Sequence, residues 1–259
     1  MTFRPAAIAA VAVALLAGVA RADVEGLLDK MHEAGRDMRT LSAKVTLTDY
    51  DDATGNEVSR PGRMALRRGE EAGDAAVHVV FNGKQTDAGF EPGEKIEYLL
   101  KNGELVDRNY RGKTQVVRKL PADELAKDPL ALGEGPFPLP IGQDPARVKE
   151  LFEVSEVDPA QSEWEVKPVD GATRLRLVPR PNTKFARDFT FIDVDVNPAT
   201  GLPEKVSTVD AAEVNLRIAD LSDVAVDADL GGESFELEDV DLGDWNVSFE
   251  DLSEPQPSN

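Results

Sequence analysis

From Leu41 onward the apolar residues of this chain recur at every second position, in short runs broken by turn signals. "LSAKVTLTDY" puts Leu41, Ala43, Val45 and Leu47 on one side, and "GRMALRR" adds Met64 and Leu66. "AAVHVVF" contributes Val77, Val79 and Phe81, and "EKIEYLL" contributes Ile96, Tyr98 and Leu100. A period of two is the side-chain period of a strand with one buried face. The separators "DDATGN", "GEEAGD", "NGK", "EPGE", "KNGE" and "YRGK" are turn sequences, and the Asn-Gly pairs at 82–83 and 102–103 predict hairpin turns. A chain patterned this way forms an antiparallel meander, and its apolar face requires a cover.

Candidates for the cover lie before and after the meander. "VEGLLDKMHEAGRDMRTL" spaces Val24, Leu27, Leu28, Met31, Met38 and Leu41 at helical intervals, which predicts an amphipathic helix running into the first strand. After "TQVVRKL", one more strand, the pattern stops. A helical start at 122–127 and a helical turn at 145–152 bracket a stretch with prolines at 129, 136, 138, 140 and 145. Leu130, Leu132, Phe137, Leu139 and Ile141 are large apolar residues on this irregular segment, which fits a lid. Strands resume with "FEVSEVD", "SEWEVKPV", "TRLRLVPR" (Leu175, Leu177), "DFTFIDVDV", "EKVSTVD" and "EVNLRIADLSDVAV". The fold class is α+β with a large antiparallel sheet.

Residues 1–22 stand apart. Arg4, an apolar run from Ala6 to Ala20 and the ending Ala20-Arg21-Ala22 read as a cleavable signal peptide, with a mature chain starting at Asp23. There is no cysteine, which excludes disulfides, thiolate metal sites, thiol nucleophiles and a lipidated N-terminus. The expected location is the periplasm. Without Arg4 and Arg21 the chain has 27 basic against 49 acidic residues, a net charge of −22. Such a surface disfavours nucleic acid and anionic membranes. The charge is uneven: residues 218–259 hold 13 acids and no Lys or Arg, whereas "RNYRGKTQVVRK" at 108–119 is basic. The organisation expected is one domain over 23–230 and a weakly ordered acidic extension over 231–259, with Phe235 and Trp245 as anchors.

"DVDVNPATGLPE" at 193–204 has the acid and amide spacing of a calcium loop, with Asp193, Asp195, Asn197 and Glu204 at positions 1, 3, 5 and 12. Position 6 needs glycine and is Pro198, and both flanks are strand-like, so the stretch reads as a hairpin with Gly201 left-handed. No metal site or cofactor fingerprint is read from the sequence. The two histidines, His32 on the solvent side of the first helix and His78 off the apolar face of its strand, have no apparent catalytic partner. Nothing singles out a carboxylate pair, and no nucleophile motif is present. A non-enzymatic role is expected.

The order of these elements resembles the LolA-like lipoprotein-sorting family. The segments that carry the resemblance are "LLDKMHEAGRDMRTLSAKVTLT", "GRMALRR", "LAKDPLAL", "LRLVPR" and "VDVNPATGLPEKVSTVDAAEVNLRIADL". The resemblance implies an incomplete β-barrel whose concave apolar face is covered by helices and holds acyl chains. It also implies an inner-membrane lipoprotein-releasing transporter and an outer-membrane acceptor as partners; the chain itself is expected to be a monomer. The ligand-facing set would be Val45, Leu47, Met64, Leu66, Val77, Val79, Phe81, Ile96, Tyr98, Leu100, Leu130, Leu132, Phe137, Leu139, Ile141, Leu175 and Leu177. The family's lid and release arginine would fall on Arg68, although the proline that follows it in the family is Gly69 here. The same half-barrel also implies an alternative, a periplasmic sensor resembling RseB that binds a protein partner.

Overall fold

The computed structural model describes residues 23–69, 74–122, 141–158, 164, 166–230 and 235–253. Helix α1 (Val24–Arg36) leads into the long strands β1 (Thr40–Asp51) and β2 (Asn56–Arg67). Then come β3 (Ala76–Phe81), the short β4 (Lys84–Thr86) and β5 (Gly89–Glu91), β6 (Ile96–Lys101), β7 (Glu104–Asn109) and β8 (Thr114–Lys119). Helix α2 (Pro145–Leu151) runs straight into β9 (Phe152–Glu156), followed by β10 (Thr173–Pro179). Helix α3 (Phe185–Asp188), β11 (Phe189–Val196), β12 (Pro203–Asp210), β13 (Asn215–Val226) and β14 (Asn246–Asp251) complete the chain.

The strands among the described residues form one sheet, with the spatial order β14-β8-β7-β6-β3-β2-β1-β13-β12-β11-β10-β9, and β4 and β5 branch from β2 beside that path. Every pairing in that order is antiparallel except β14 with β8. The two edges, β14 and β9, do not meet, so the curved sheet stays open. β1 and β13 join the two halves along ten paired positions from Leu41↔Val226 to Asp51↔Asn215.

The register explains why the period-two pattern works. Leu41 lies opposite Leu66, Leu66 opposite Val77 and Val77 opposite Leu100, so one row of the inner face is apolar across four strands. On the other half, Val206, Val194 and Leu175 form a matching row. These residues belong to one core with Leu27, Leu28 and Met31 of α1, Val148 of α2, Phe152 and Phe185. Fully burying one such side chain stabilises by about 1.5–3 kcal/mol.

Four sequence expectations are corrected. Asn102-Gly103 is a two-residue hairpin turn with φ of 53° and 80°, as a type I′ turn requires. Asn82-Gly83 is not a hairpin: β4 continues along β2, with Ser59 opposite Gln85, and β3 pairs with β6 instead. "SEWEVKPV" contributes no ladder strand among its described residues. The stretch 166–169 is held instead by side chains, with Arg174 donating to the Val166 carbonyl and Lys205 to the Lys167 carbonyl. The helix from Val24 stops at Arg36, short of Leu41, because the chain turns at Asp37 and Met38 to start β1. Lastly, the described part of the acidic extension, 235–253, is not a loose tail, since β14 lies within it.

Candidate ligand-binding face

The apolar inner face has a sealed end and a half-open end. At the sealed end Leu41, Leu66, Val77 and Val196 have no exposed surface. The cover there is α1, which is pinned by four tethers. The Gly142 N–H donates to the Met31 carbonyl at 3.1 Å, and Lys30 Nζ donates to the Pro198 carbonyl at 2.8 Å. Lys149 of α2 pairs with Glu25. The guanidinium of Arg68 donates to the Gly35 and Met38 carbonyls at 2.6 and 3.1 Å, which satisfies the open carbonyls at the end of α1. Two glycines allow these contacts. A Cβ on Gly35 would stand 2.4 Å from the Gly142 nitrogen, and one on Gly201 would stand 2.5 Å from the Lys30 carbonyl oxygen.

Toward the other end of the same face, Leu47, Ile96, Tyr98 and Phe189 are only half-buried, though they pack against the same core. A polar collar borders them. Asp49 accepts from Arg60 at 3.0 Å and from Arg217 at 2.7 Å, so two guanidinium groups share one carboxylate. A cleft of about 470 Å³ opens there, lined by Asp49, Val58, Arg60, Phe189, Thr208 and Arg217 among others. Burial pushes the Tyr98 hydroxyl above its ordinary range, and the nearby Asp107 charge adds to the effect. The lining also holds Asp51 and Asp210, so the rim mixes charges of both signs beside the apolar side chains of Val58, Phe189 and Leu216.

Of the residues read from the sequence, Val45, Leu47, Met64, Leu66, Val77, Val79, Phe81, Ile96, Tyr98, Leu100, Ile141, Leu175 and Leu177 all converge on this one core. Leu130, Leu132, Phe137 and Leu139 lie outside the described residues. Arg60, Asp49 and Arg217 were missed. Each sits at the strand position that continues the inner-face alternation, which was the available signal.

The outer face carries the buried charges. Asp195 accepts from Nε and Nη2 of Arg174 at 2.5 and 2.8 Å, and Asp193 accepts from Nε and Nη2 of Arg176, each at 2.8 Å. The stretch 193–204 is therefore a β11–β12 hairpin, with Gly201 at φ 72°, and its first two acids are held by arginines. His78 is not solitary: it is buried and 2.8 Å from Glu97, which also accepts from the Tyr110 hydroxyl at 2.5 Å. Burial alone would raise the Glu97 carboxyl, but these hydrogen bonds outweigh it and hold the group below its ordinary range. His32 does not face open solvent either, since its Nδ1 lies 3.2 Å from the Gly142 carbonyl.

An open, curved sheet with helices on its inner face is the half-barrel architecture that the LolA-like resemblance implied. No family model matches the chain, and no curated protein matches it. Solved structures that the chain is similar to include the Pseudomonas aeruginosa MucA/MucB complex, at 16% identity and a TM-score of 0.43 over 84% of this chain. The match spans 62% of the other chain in that case. An uncharacterized conserved protein from Thermus thermophilus is similar at 10% identity and a TM-score of 0.45, covering 87% of this chain and 98% of that one. A putative outer membrane lipoprotein-sorting protein domain from Vibrio parahaemolyticus is similar at 14% identity and a TM-score of 0.34, covering 82% and 95%. No helix among the described residues is long and apolar enough to cross a membrane.

Proposed function

We propose that this chain is a periplasmic carrier that holds the acyl chains of a lipoprotein or lipid on its inner face and hands them on without catalysis. The observation that carries the reading is the half-open end of that face, where half-buried apolar residues meet a rim of two arginines sharing one aspartate. Each methylene taken up gains about 0.8 kcal/mol, so a short chain suffices for binding and several chains would bind too tightly to leave unaided. Release then requires the cover to move. The tethers on α1 are four hydrogen bonds and one exposed ion pair, each worth about 3 kcal/mol or less net. Arg68 acts as a latch in this reading, because it joins the end of β2 to the end of α1. The lid segment expected from the sequence, with Leu130, Leu132, Phe137 and Leu139, lies outside the described residues. An inner-membrane releasing transporter and an outer-membrane acceptor are the partners that such a carrier requires.

The test is uptake of a fluorescent fatty acid by the purified chain, together with native mass spectrometry of protein taken from an envelope fraction. Saturable uptake, with affinity reduced several-fold in Arg60→Gln/Arg217→Gln, is the expected result. A chain that takes up no apolar probe and carries no lipid mass is not a carrier.

A further inference from the structure

The two blocks of opposite charge in the sequence are laid one upon the other in the fold. Residues 95–119 hold seven Lys or Arg against three acids, and residues 235–253 hold seven acids and no Lys or Arg. The acidic segment crosses the outer face of β6 to β8 and then runs beside β8 as β14. Lys95 pairs with Glu238 and Lys113 with Asp244, while Arg118 reaches Glu250 at 2.9 Å and Lys119 reaches Asp251 at 3.2 Å. Lys101 and Arg108 donate to the Phe235 and Glu238 carbonyls at 3.0 and 2.7 Å. Six of the seven basic residues therefore hold the segment. Two rings anchor it: Phe235 lies under the guanidinium of Arg67 at 5.1 Å, and Trp245 meets Tyr110 edge-on at 5.4 Å.

This segment docks unlike the other strands. A strand kept for stability buries its apolar side chains, yet Val247 is 48% exposed and Phe249 60% exposed. The ion pairs are open to water, with Lys113 and Asp244 exposed by 53% and 64%. Contacts of this kind are screened by salt and individually weak. Beneath the segment, β8 offers an open edge, which any extended peptide can pair with through its main chain.

We infer that the outer face of β6 to β8, with the free edge of β8, is a docking site for an extended acidic segment of a partner protein, and that residues 235–253 fill it in cis as a displaceable strap. The site supplies main-chain bonds, a row of cations and two ring contacts. An incoming segment matches it with acids near the positions of Glu238, Asp244, Glu250 and Asp251 and with aromatic residues near those of Phe235 and Trp245. The strap competes from high effective concentration, so only a partner with more contacts enters. Until then it protects an edge that would otherwise promote aggregation.

The test uses the full chain with Glu238, Asp244, Glu250 and Asp251 each changed to Lys, and a labelled peptide of residues 235–253. The variant should bind the peptide about tenfold more tightly than the unaltered chain, and added salt should weaken that binding. A folded variant that leaves the peptide free overturns the proposal, as does equal binding of a scrambled peptide of the same composition. Should the variant fail to fold, the unaltered chain with a protease site inserted between Leu230 and Phe235 decides the matter. After cutting, the tail should leave at high salt and stay at low salt, and a tail retained at high salt marks a permanent structural strand and overturns the proposal.

Discussion

At the residue scale the outer face holds the costliest side chains. Arg174 and Asp195 are 1% and 2% exposed, so each is buried against one opposite charge and little water. Removing one partner leaves the other charged and dry, which costs about 3–5 kcal/mol. Asp195→Ala should therefore lower the denaturation free energy by about that much, while Asp49→Ala at the exposed rim should cost less than about 1 kcal/mol. Urea titrations that give equal losses would contradict this. Glu97 makes a prediction in pH. Its folded value lies below the ordinary 4.5, so the stability it confers is present above that pH and is lost as pH falls through the depressed value. Glu97→Gln should be less stable at neutral pH and should lose stability less steeply below about pH 4.5. An unchanged acid slope would show that the His78–Glu97–Tyr110 cluster is not the group responsible. None of these pairs was legible in the sequence. His78 was correctly placed off the apolar face, but a second cover over that face, which turns an exposed side into a buried one, leaves no local signal.

At the element scale the legible features were those set by neighbouring residues. The strand periods, the Asn102-Gly103 turn and the Pro198–Gly201 turn each depend on a few adjacent side chains, and the structure contains all three. Asn82-Gly83 misled because a local turn preference does not specify a partner strand, and here β3 pairs with β6 rather than β4. β14 was hidden for a related reason. Its acidic sequence looks unable to pack, and only the distant basic stretch at 95–119 makes its docking favourable. Helix α1 presents the converse case, since its amphipathic pattern was plain but its tethers were not. Arg68→Ala removes two hydrogen bonds to the end of that helix. It should cost about 1–2 kcal/mol and, if α1 is a moving cover, should speed entry of a fatty-acid probe. Loss of stability with an unchanged entry rate would make Arg68 a structural cap only.

At the scale of the whole molecule, an open sheet with its main core on the inner face could be either a carrier or an ordinary closed domain, and that face itself supplies the comparison. Leu177 is fully packed, 2% exposed, between β9 and β11, and Leu47 lies on the same face, half-buried opposite Arg60. Replacing Leu177 by Gln buries an amide with no partner and should destabilise by about 2–5 kcal/mol. Replacing Leu47 by Gln puts the same amide beside water and the Asp49–Arg60–Arg217 rim, where it can be solvated, so stability should fall by no more than about 1 kcal/mol. Uptake of an apolar probe should rank the two in the opposite order. Leu47→Gln should weaken binding several-fold while the chain stays folded, whereas Leu177→Gln, at a temperature where it remains folded, should bind much like the parent. Should both substitutions destabilise alike, or should Leu47→Gln leave uptake untouched, the half-open end would be part of an ordinary core and the carrier reading would fail.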